Sequence, residues 1–274
     1  MDNFILINCL LNAPLLLLSI IGNSLVLAAI SRTPSLRSPS TVFLCGLAVS
    51  DLLVGLLVQP VYIAYQITPG LYRTASTLFG IACGVSLCTM TAISLDRFLA
   101  LHYHMQYSNM MTDKRALYSL AGIWFICIAV SGLSLWMKSP AALAVGVAIC
   151  FFISSFSYVK MYQIVRRHQL QIHAQQQTVQ NAEQNLDIMR SKKSAINSFI
   201  YCICMIMCYS PMFISMIAYA ISPTLRSKKF SLASTIVFMN SSVNPILYCW
   251  RLRELRTAVL KTLRKTLRQQ SEGN

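Results

Sequence analysis

The sequence predicts an all-α fold, a seven-transmembrane helix bundle, and three observations carry that prediction. Of its 274 residues, 55% are hydrophobic and only 11% charged, against about 45–50% and about 25% in an ordinary soluble domain. A chain of this size folded in water would need a charged exterior, and this one has too few charges to make it. The apolar residues also fall into seven runs, at roughly 5–30, 41–66, 75–101, 117–137, 141–165, 195–221 and 231–249, each long enough to cross a hydrocarbon core as a helix. Third, the cations collect in alternate gaps. Segments 31–40, 102–116, 166–194 and 250–274 hold sixteen Lys and Arg, whereas 67–74, 138–140 and 222–230 hold five. The other two, Arg97 and Lys160, lie near the cation-rich ends of their runs. The rich set is expected to be cytoplasmic, which puts the N-terminus outside and the C-terminus inside.

Taken in order, the first run follows Met1-Asp2-Asn3, which lacks the basic region and small-residue cleavage site of a removable signal peptide. Outer segment 1–4 is expected to hold no large ligand-capturing domain. The second run carries Asp51, and the third ends on Asp96-Arg97-Phe98. A bare turn, Lys138-Ser139-Pro140, joins the fourth and fifth. The gap 166–194 is glutamine-rich and reads as a mobile loop or as helical extension. Pro211 in the sixth run and Pro245 in the seventh would kink their helices, freeing backbone carbonyls and creating pivots. Residues 1–249 thus form the membrane domain. In 250–274, Leu252, Leu255, Val259, Leu263 and Leu267 recur at three- and four-residue steps among seven cations, the pattern of a short amphipathic helix on the cytoplasmic membrane face.

A net charge of +15 suggests nucleic acid only where a soluble basic face exists. Here the cations lie in loops, as at an anionic inner leaflet, so the expected partner is the lipid bilayer and not nucleic acid. The ten cysteines all fall within or at the ends of apolar runs. None lies in an evident outward loop where a disulfide would form, and they read as small hydrophobes in helix packing. Cys202, Cys204 and Cys208 raise the question of a metal set, but residues two apart face different sides of a helix and they read as packing. No nucleophile–base set appears either, which excludes an enzyme.

Each polar residue inside a span costs free energy unless satisfied. Asp51 is the only acid deep in a run; Asn23, Ser86, Asn240, Ser241 and Asn244 are the other mid-span polar groups of note. An isolated carboxylate there must be protonated, hydrogen-bonded or paired with a cation. It is either a polar knot that holds helices together or a functional site.

Taken together, Gly22-Asn23, Leu47-Ala48-x-x-Asp51, Asp96-Arg97-Phe98, Trp124, Tyr158, Cys208-Tyr209-Ser210-Pro211 and Asn244-Pro245-Ile246-Leu247-Tyr248 resemble the rhodopsin-like (class A) G-protein-coupled receptors. Their order and spacing run from the first helix to the tail. Within the family, Gln106 to Arg115 is similar to the second inner loop of melanocortin receptors. Tyr248 to Arg256 is similar to the start of the adenosine and melanocortin receptor tails, and the turn-like second outer loop points to the melanocortin side. The resemblance implies a plasma-membrane receptor that activates a heterotrimeric G protein, with arrestin as a further partner. Asp51, Ser86, Asn240, Ser241 and Asn244 match the family's sodium pocket, which implies an allosteric Na⁺ and no other cofactor. Arg97, beside Asp96, matches the residue that engages the G protein once the sixth helix swings outward about Pro211. Tyr158 and Tyr248 match two tyrosines that steady the open state, and Tyr209 stands for the usual tryptophan beneath the ligand.

Several positions depart from the pattern. The usual outer cysteine of the third helix is Tyr72, so the family's outer disulfide is absent, as in its melanocortin and lipid-receptor branches. The asparagine usual before Leu47 is Gly46. The Pro–Ile–Phe core triad is Cys150, Leu87 and Met205, and Ser191 stands where many relatives place an acid that locks the arginine. For the ligand, amine receptors use an acid where Phe79 stands. Melanocortin receptors use acids in the second and third helices, and Val61 and Tyr72 hold two of those sites. The adenosine-receptor asparagine of the sixth helix is Met216. The expected lining is Phe79, Cys83, Met212, Phe213, Met216, Ser234 and Phe238. Arg73, Lys138, Arg226, Lys228 and Lys229 lie at the outer mouth, where Asp2 is the only acid. With no acid to offset the desolvation of a cation, an extracellular ligand that is small and apolar or weakly anionic is expected. A retinal receptor is excluded because 231–249 contains no lysine, and a secondary transporter because no repeated half appears. A receptor-like scaffold that does not signal is the alternative.

Overall fold

The computed structural model describes residues 3–36, 38–103, 106–175, 182–221 and 228–272, with side chains except at 168–175, 182–199, 201, 220, 228–229, 251 and 265–272. Among these residues every element is helical, and seven helical stretches are long and apolar enough to span a membrane. The first span is α1 (Asn3–Arg32). The second is built from α2 (Pro39–Leu53), a π-turn (Val54–Val58) and α3 (Gln59–Ile67). The third is α4 (Tyr72–Tyr103), followed by the short α5 (Tyr107–Met110). The fourth to seventh spans are α6 (Asp113–Trp136), α7 (Ala141–Gln175), α8 (Ala182–Ile221) and α9 (Lys228–Arg251), and α10 (Arg253–Glu272) closes the chain. Several helices outrun the apolar runs that predict them, because helix geometry does not stop where hydropathy does. Both α7 and α8 reach into the glutamine-rich gap, as far as Gln175 and from Ala182.

Helix starts follow local chemistry. Ser38 caps α2, its hydroxyl accepting from the Thr41 N–H at 3.3 Å, with Pro39 in the first turn, where its missing N–H costs nothing. Thr112 caps α6 by accepting from the Arg115 N–H at 3.4 Å, with Asp113 in the positively polarised first turn. The π-turn has an equally local cause. Pro60 has no N–H to give and its ring would meet the Leu56 carbonyl in a regular helix. The preceding Gln59 N–H instead bonds back to the Val54 carbonyl, five residues away. The α6–α7 turn ends α6 with the Ser139 N–H reaching the Ser134 carbonyl at 3.1 Å. Lys138 lies in the left-handed region, φ 53°.

The second, third and seventh spans form the centre of the bundle, with 56–61% of their apolar stretches buried, while the first, fourth and fifth bury 17% and present the rest outward. Phe125, Phe152 and Ile214 are among the large apolar side chains on that outer surface, as a hydrocarbon solvent permits. α4 packs on α2, α6 and α7, and α1 on α2, α9 and α10. Two glycines mark close approaches. A Cβ on Gly22 would fall 2.9 Å from Pro245 Cγ, so α1 and α9 touch where both motifs carry a small or ring-fixed residue. A Cβ on Gly46 would fall 2.5 Å from Leu120 Cδ2, so the side chain of α6 fills the room that a residue there would need. That packing accounts for glycine before Leu47. In α10, Leu255, Ala258 and Thr262 are buried toward the bundle, whereas Leu260 and Leu263 are 47% and 38% exposed. The expected stripe is therefore split between protein and open surface, and Leu267 lies outside the described side chains.

Candidate functional site

Three polar sites lie at different depths. At mid-bundle, fully buried Asp51 is held by spans three and seven. Its Oδ1 accepts from the Ser86 hydroxyl at 2.9 Å and the Ser241 hydroxyl at 2.8 Å, and its Oδ2 from Asn244 Nδ2 at 2.7 Å. Asn244 Oδ1 is buried without a hydrogen-bond partner among the described residues. Four of the five expected pocket residues thus meet. The fifth, Asn240, donates at 3.4 Å to Met90 Sδ. Asn23 braces the cage from outside it, donating to the Ser19 and Ser241 carbonyls at 2.9 and 3.1 Å. Ser19 donates to the Asp51 carbonyl at 2.8 Å. A carboxylate, two hydroxyls and a free amide oxygen form an oxygen-rich donor set of the kind that suits a small hard cation.

At one end of the bundle stands the only ion pair among the described residues: Arg97 donates to Asp96 at 2.7 Å. The Asp96 side chain is 1% exposed and that of Arg97 25%. Ser40 donates to the same carboxylate oxygen at 2.8 Å, and the Tyr107 hydroxyl donates to the other. Burial and the neighbouring carboxylate push the Tyr107 phenol up to about 12, so it remains a donor at every physiological pH.

At the opposite end, a cavity of about 530 Å³ opens among spans three to seven. Phe79 and Met216 line it, as expected; Arg73, Lys138, Trp136 and Phe230 complete much of its wall. Ser234 lines a smaller neighbouring cavity of about 40 Å³ with Tyr62, Tyr65 and Phe79. Cys83, Met212 and Phe238 are buried at 3%, 2% and 0% exposure and line neither cavity. Phe238 packs behind the cavity wall, edge-on to Phe79 and Tyr62 with centroids 5.6 and 5.2 Å apart. Phe213 packs on Phe151 at 5.9 Å. The residue types point to the right faces of their helices, but the depth reached by each side chain is set by packing. The side chains of Asp2, Arg226, Lys228 and Lys229 lie outside the described residues.

A family model described as "7 transmembrane receptor (rhodopsin family)" matches residues 22–142. Human melanocortin receptor 3 (Homo sapiens) is 26% identical over 269 residues, covering 90% of this chain and 82% of that receptor. The rat and mouse melanocortin receptors 3 (Rattus norvegicus, Mus musculus) are each 25% identical over the same span and coverage. Over residues 22–142 the chain is similar to the rhodopsin-like receptors. These matches support a multi-pass G-protein-coupled receptor related to the melanocortin branch.

The receptor's other motif residues lie as follows. Tyr209, buried, donates to the Cys83 carbonyl at 3.1 Å, tying span six to span three. Tyr248 is fully buried in the core, whereas Tyr158 is half-buried with its ring 6.5 Å from Tyr162. Cys150, Leu87 and Met205 are all buried, and Ser154 donates to Met205 Sδ at 3.7 Å. The Ser191 side chain is outside the described residues. All ten cysteines are free.

A second buried network was missed at the sequence level. Asn8 Nδ2 donates to the Tyr62 hydroxyl at 3.0 Å, and that hydroxyl donates to the Ser231 carbonyl at 2.9 Å. Thr235 donates to Asn8 Oδ1 at 2.6 Å and accepts from Asn12 Nδ2 at 2.9 Å. Gln59 Nε2 reaches Asn12 Oδ1 at 3.5 Å. Spans one, two and seven are thereby joined above Asp51. The available signal was the amide pair Asn8 and Asn12, four apart on one face of the otherwise apolar outer half of α1.

Proposed function

We propose that this receptor binds a small apolar or weakly anionic extracellular ligand and activates a heterotrimeric G protein by outward movement of the sixth span. The observation that carries the reading is the Asp96–Arg97 pair. The guanidinium is a quarter exposed at the bundle end and paired to its own neighbour, so movement of α8 could uncover it for a partner. Pro211 gives α8 a point to bend about, with the Pro211 carbonyl taken by Ser215 at 2.8 Å. Ligand must bind the open state better than the closed one to shift the balance. The N-terminus is outside, and Arg97 and α10 face the cytoplasm, as the cation distribution requires. Arrestin would use the same exposed end.

Basal activation across a panel of G proteins, compared with Arg97→Ala at equal surface level, tests this reading. Signal lost in the mutant is the expected result. Equal signal in both, with a ligand found to bind, would favour the non-signalling scaffold, which the altered triad and the missing disulfide make the second reading. A tag at the N-terminus should be reachable in intact cells.

Asp51, Ser86, Ser241 and Asn244 Oδ1 fit a sodium ion, which when bound would neutralise Asp51 and favour the closed state. Ion and G protein then oppose each other by linkage. Sodium should weaken G-protein binding to the native receptor. Asp51→Asn should abolish that sensitivity, and its persistence in the variant would remove Asp51 from the role.

A further inference from the structure

From the wall of the 530 Å³ cavity we infer that the ligand is an amphiphile with one acidic head group, seated between Arg73 and Lys138, with its apolar body against Phe79, Leu143, Met216 and Phe230. The inference rests on the apolar-or-anionic reading above and makes it specific. Both cations line the cavity, and neither has an acidic partner among the described residues, where Asp96–Arg97 is the only ion pair. The sequence offers Asp2 alone as an acid at this end. The cavity is of a size that suits one small molecule. Ser76, Thr77, Ser131, Ser134 and Ser139 add hydroxyls to the same wall.

Depth supports the amphiphile. Arg73 is the second residue of α4, and Lys138 sits in the turn just beyond the end of α6. The same wall includes Trp136, 81% exposed at the last position of α6, where an indole marks the level of lipid head groups. An acid head held there stays at the depth it occupies in the bilayer, while the chain enters an apolar cavity instead of hydrocarbon. The Lys138 backbone adds an independent sign. It occupies the left-handed region, φ 53°, at the position after a helix end that ordinarily takes glycine. A side chain is kept where backbone preference would dispense with one.

The test uses the purified receptor in phosphatidylcholine nanodiscs, with empty discs as blank. Four probes share one alkyl chain: tetradecanoic acid, tetradecyl phosphate, methyl tetradecanoate and tetradecylamine. Saturable binding of the acid or the phosphate is expected, at least roughly ten-fold tighter than the ester or amine. The better of the two acids distinguishes a free carboxylate from a phosphorylated lipid. Arg73→Gln and Lys138→Gly should each weaken acid binding roughly ten-fold. Lys138→Gly should do so without loss of thermal stability, since glycine fits that φ. Arg73→Glu with Lys138→Glu should shift preference to the amine. If the ester binds as well as the acid and the variants change neither, the acidic head is overturned while the apolar-ligand reading stands. If the amine binds tightest to the native receptor, both fall. No saturable binding by any probe overturns the inference, leaving the signalling reading to the Arg97 experiment.

Discussion

Asp96 is a carboxylate with donors drawn from three parts of the chain: Arg97 beside it, Ser40 at the start of the second span and Tyr107 in the segment after the third. The arginine is therefore held by an acid that is itself immobilised. Asp96→Asn removes the charge that restrains the guanidinium, and basal G-protein activation should rise in a concentration-independent nucleotide-exchange assay. Tyr107→Phe should raise it less, since Ser40 and Arg97 still fix the carboxylate. The raised phenol value sets the pH behaviour. A group whose pKa rises on folding contributes fully below its ordinary value of 10.0 and loses that contribution as pH passes about 12. Basal activity should thus carry no Tyr107-dependent step anywhere in the physiological range, and a native-minus-Tyr107→Phe pH profile that bends near neutrality would contradict the assignment.

Among elements, the outer network of Asn8, Asn12, Gln59, Tyr62 and Thr235 ties spans one, two and seven where the family's disulfide would otherwise tie the third span to an outer loop. Interhelical hydrogen bonds in membranes are worth about 0.6–2 kcal/mol each, because the separated helices also find polar partners. Asn12→Ala and Thr235→Val should each lower thermal stability in nanodiscs. The double variant should lose less than the sum, because both remove the same bond. Strict additivity would mean that the two side chains do not interact. The cage at Asp51 should be unaffected, so sodium sensitivity serves as the control that the variants retain their inner half.

For the whole molecule, ten free cysteines lead to an expectation unusual for a surface receptor: reductant should change neither its thermal stability nor its G-protein activation. A clear loss of either on adding dithiothreitol would mean that a disulfide forms. The spans and their number were legible because run length and cation placement report directly on a bilayer. The Asp51 cage was legible because polar residues stand out against hydrocarbon. Tyr107 and Ser40 were not, since Tyr107 reaches Asp96 only through the way the chain returns after α4 and Ser40 only through the packing of α2 on α4, and nothing in their own surroundings signals it. Cys83, Met212 and Phe238 show the same limit from the other side. Helical spacing gives the inward face, but side-chain packing, such as that of Phe79 on Phe238, decides which inward residues meet the cavity and which lie buried away from it.

The π-turn that Pro60 imposes on the second span has a directional consequence. One residue more than a regular helix turns everything beyond it by about 100° about the helix axis. Asp51 therefore addresses the inner half of the bundle in one direction, while Gln59 and Tyr62 are aimed independently at α1 and α9. Deleting a residue from the turn would leave composition and length almost unchanged yet swing the outer segment's polar face toward lipid. The receptor's outer half can thus be re-aimed in evolution by a single-codon insertion or loss, with the Asp51 cage and Arg97 untouched below it.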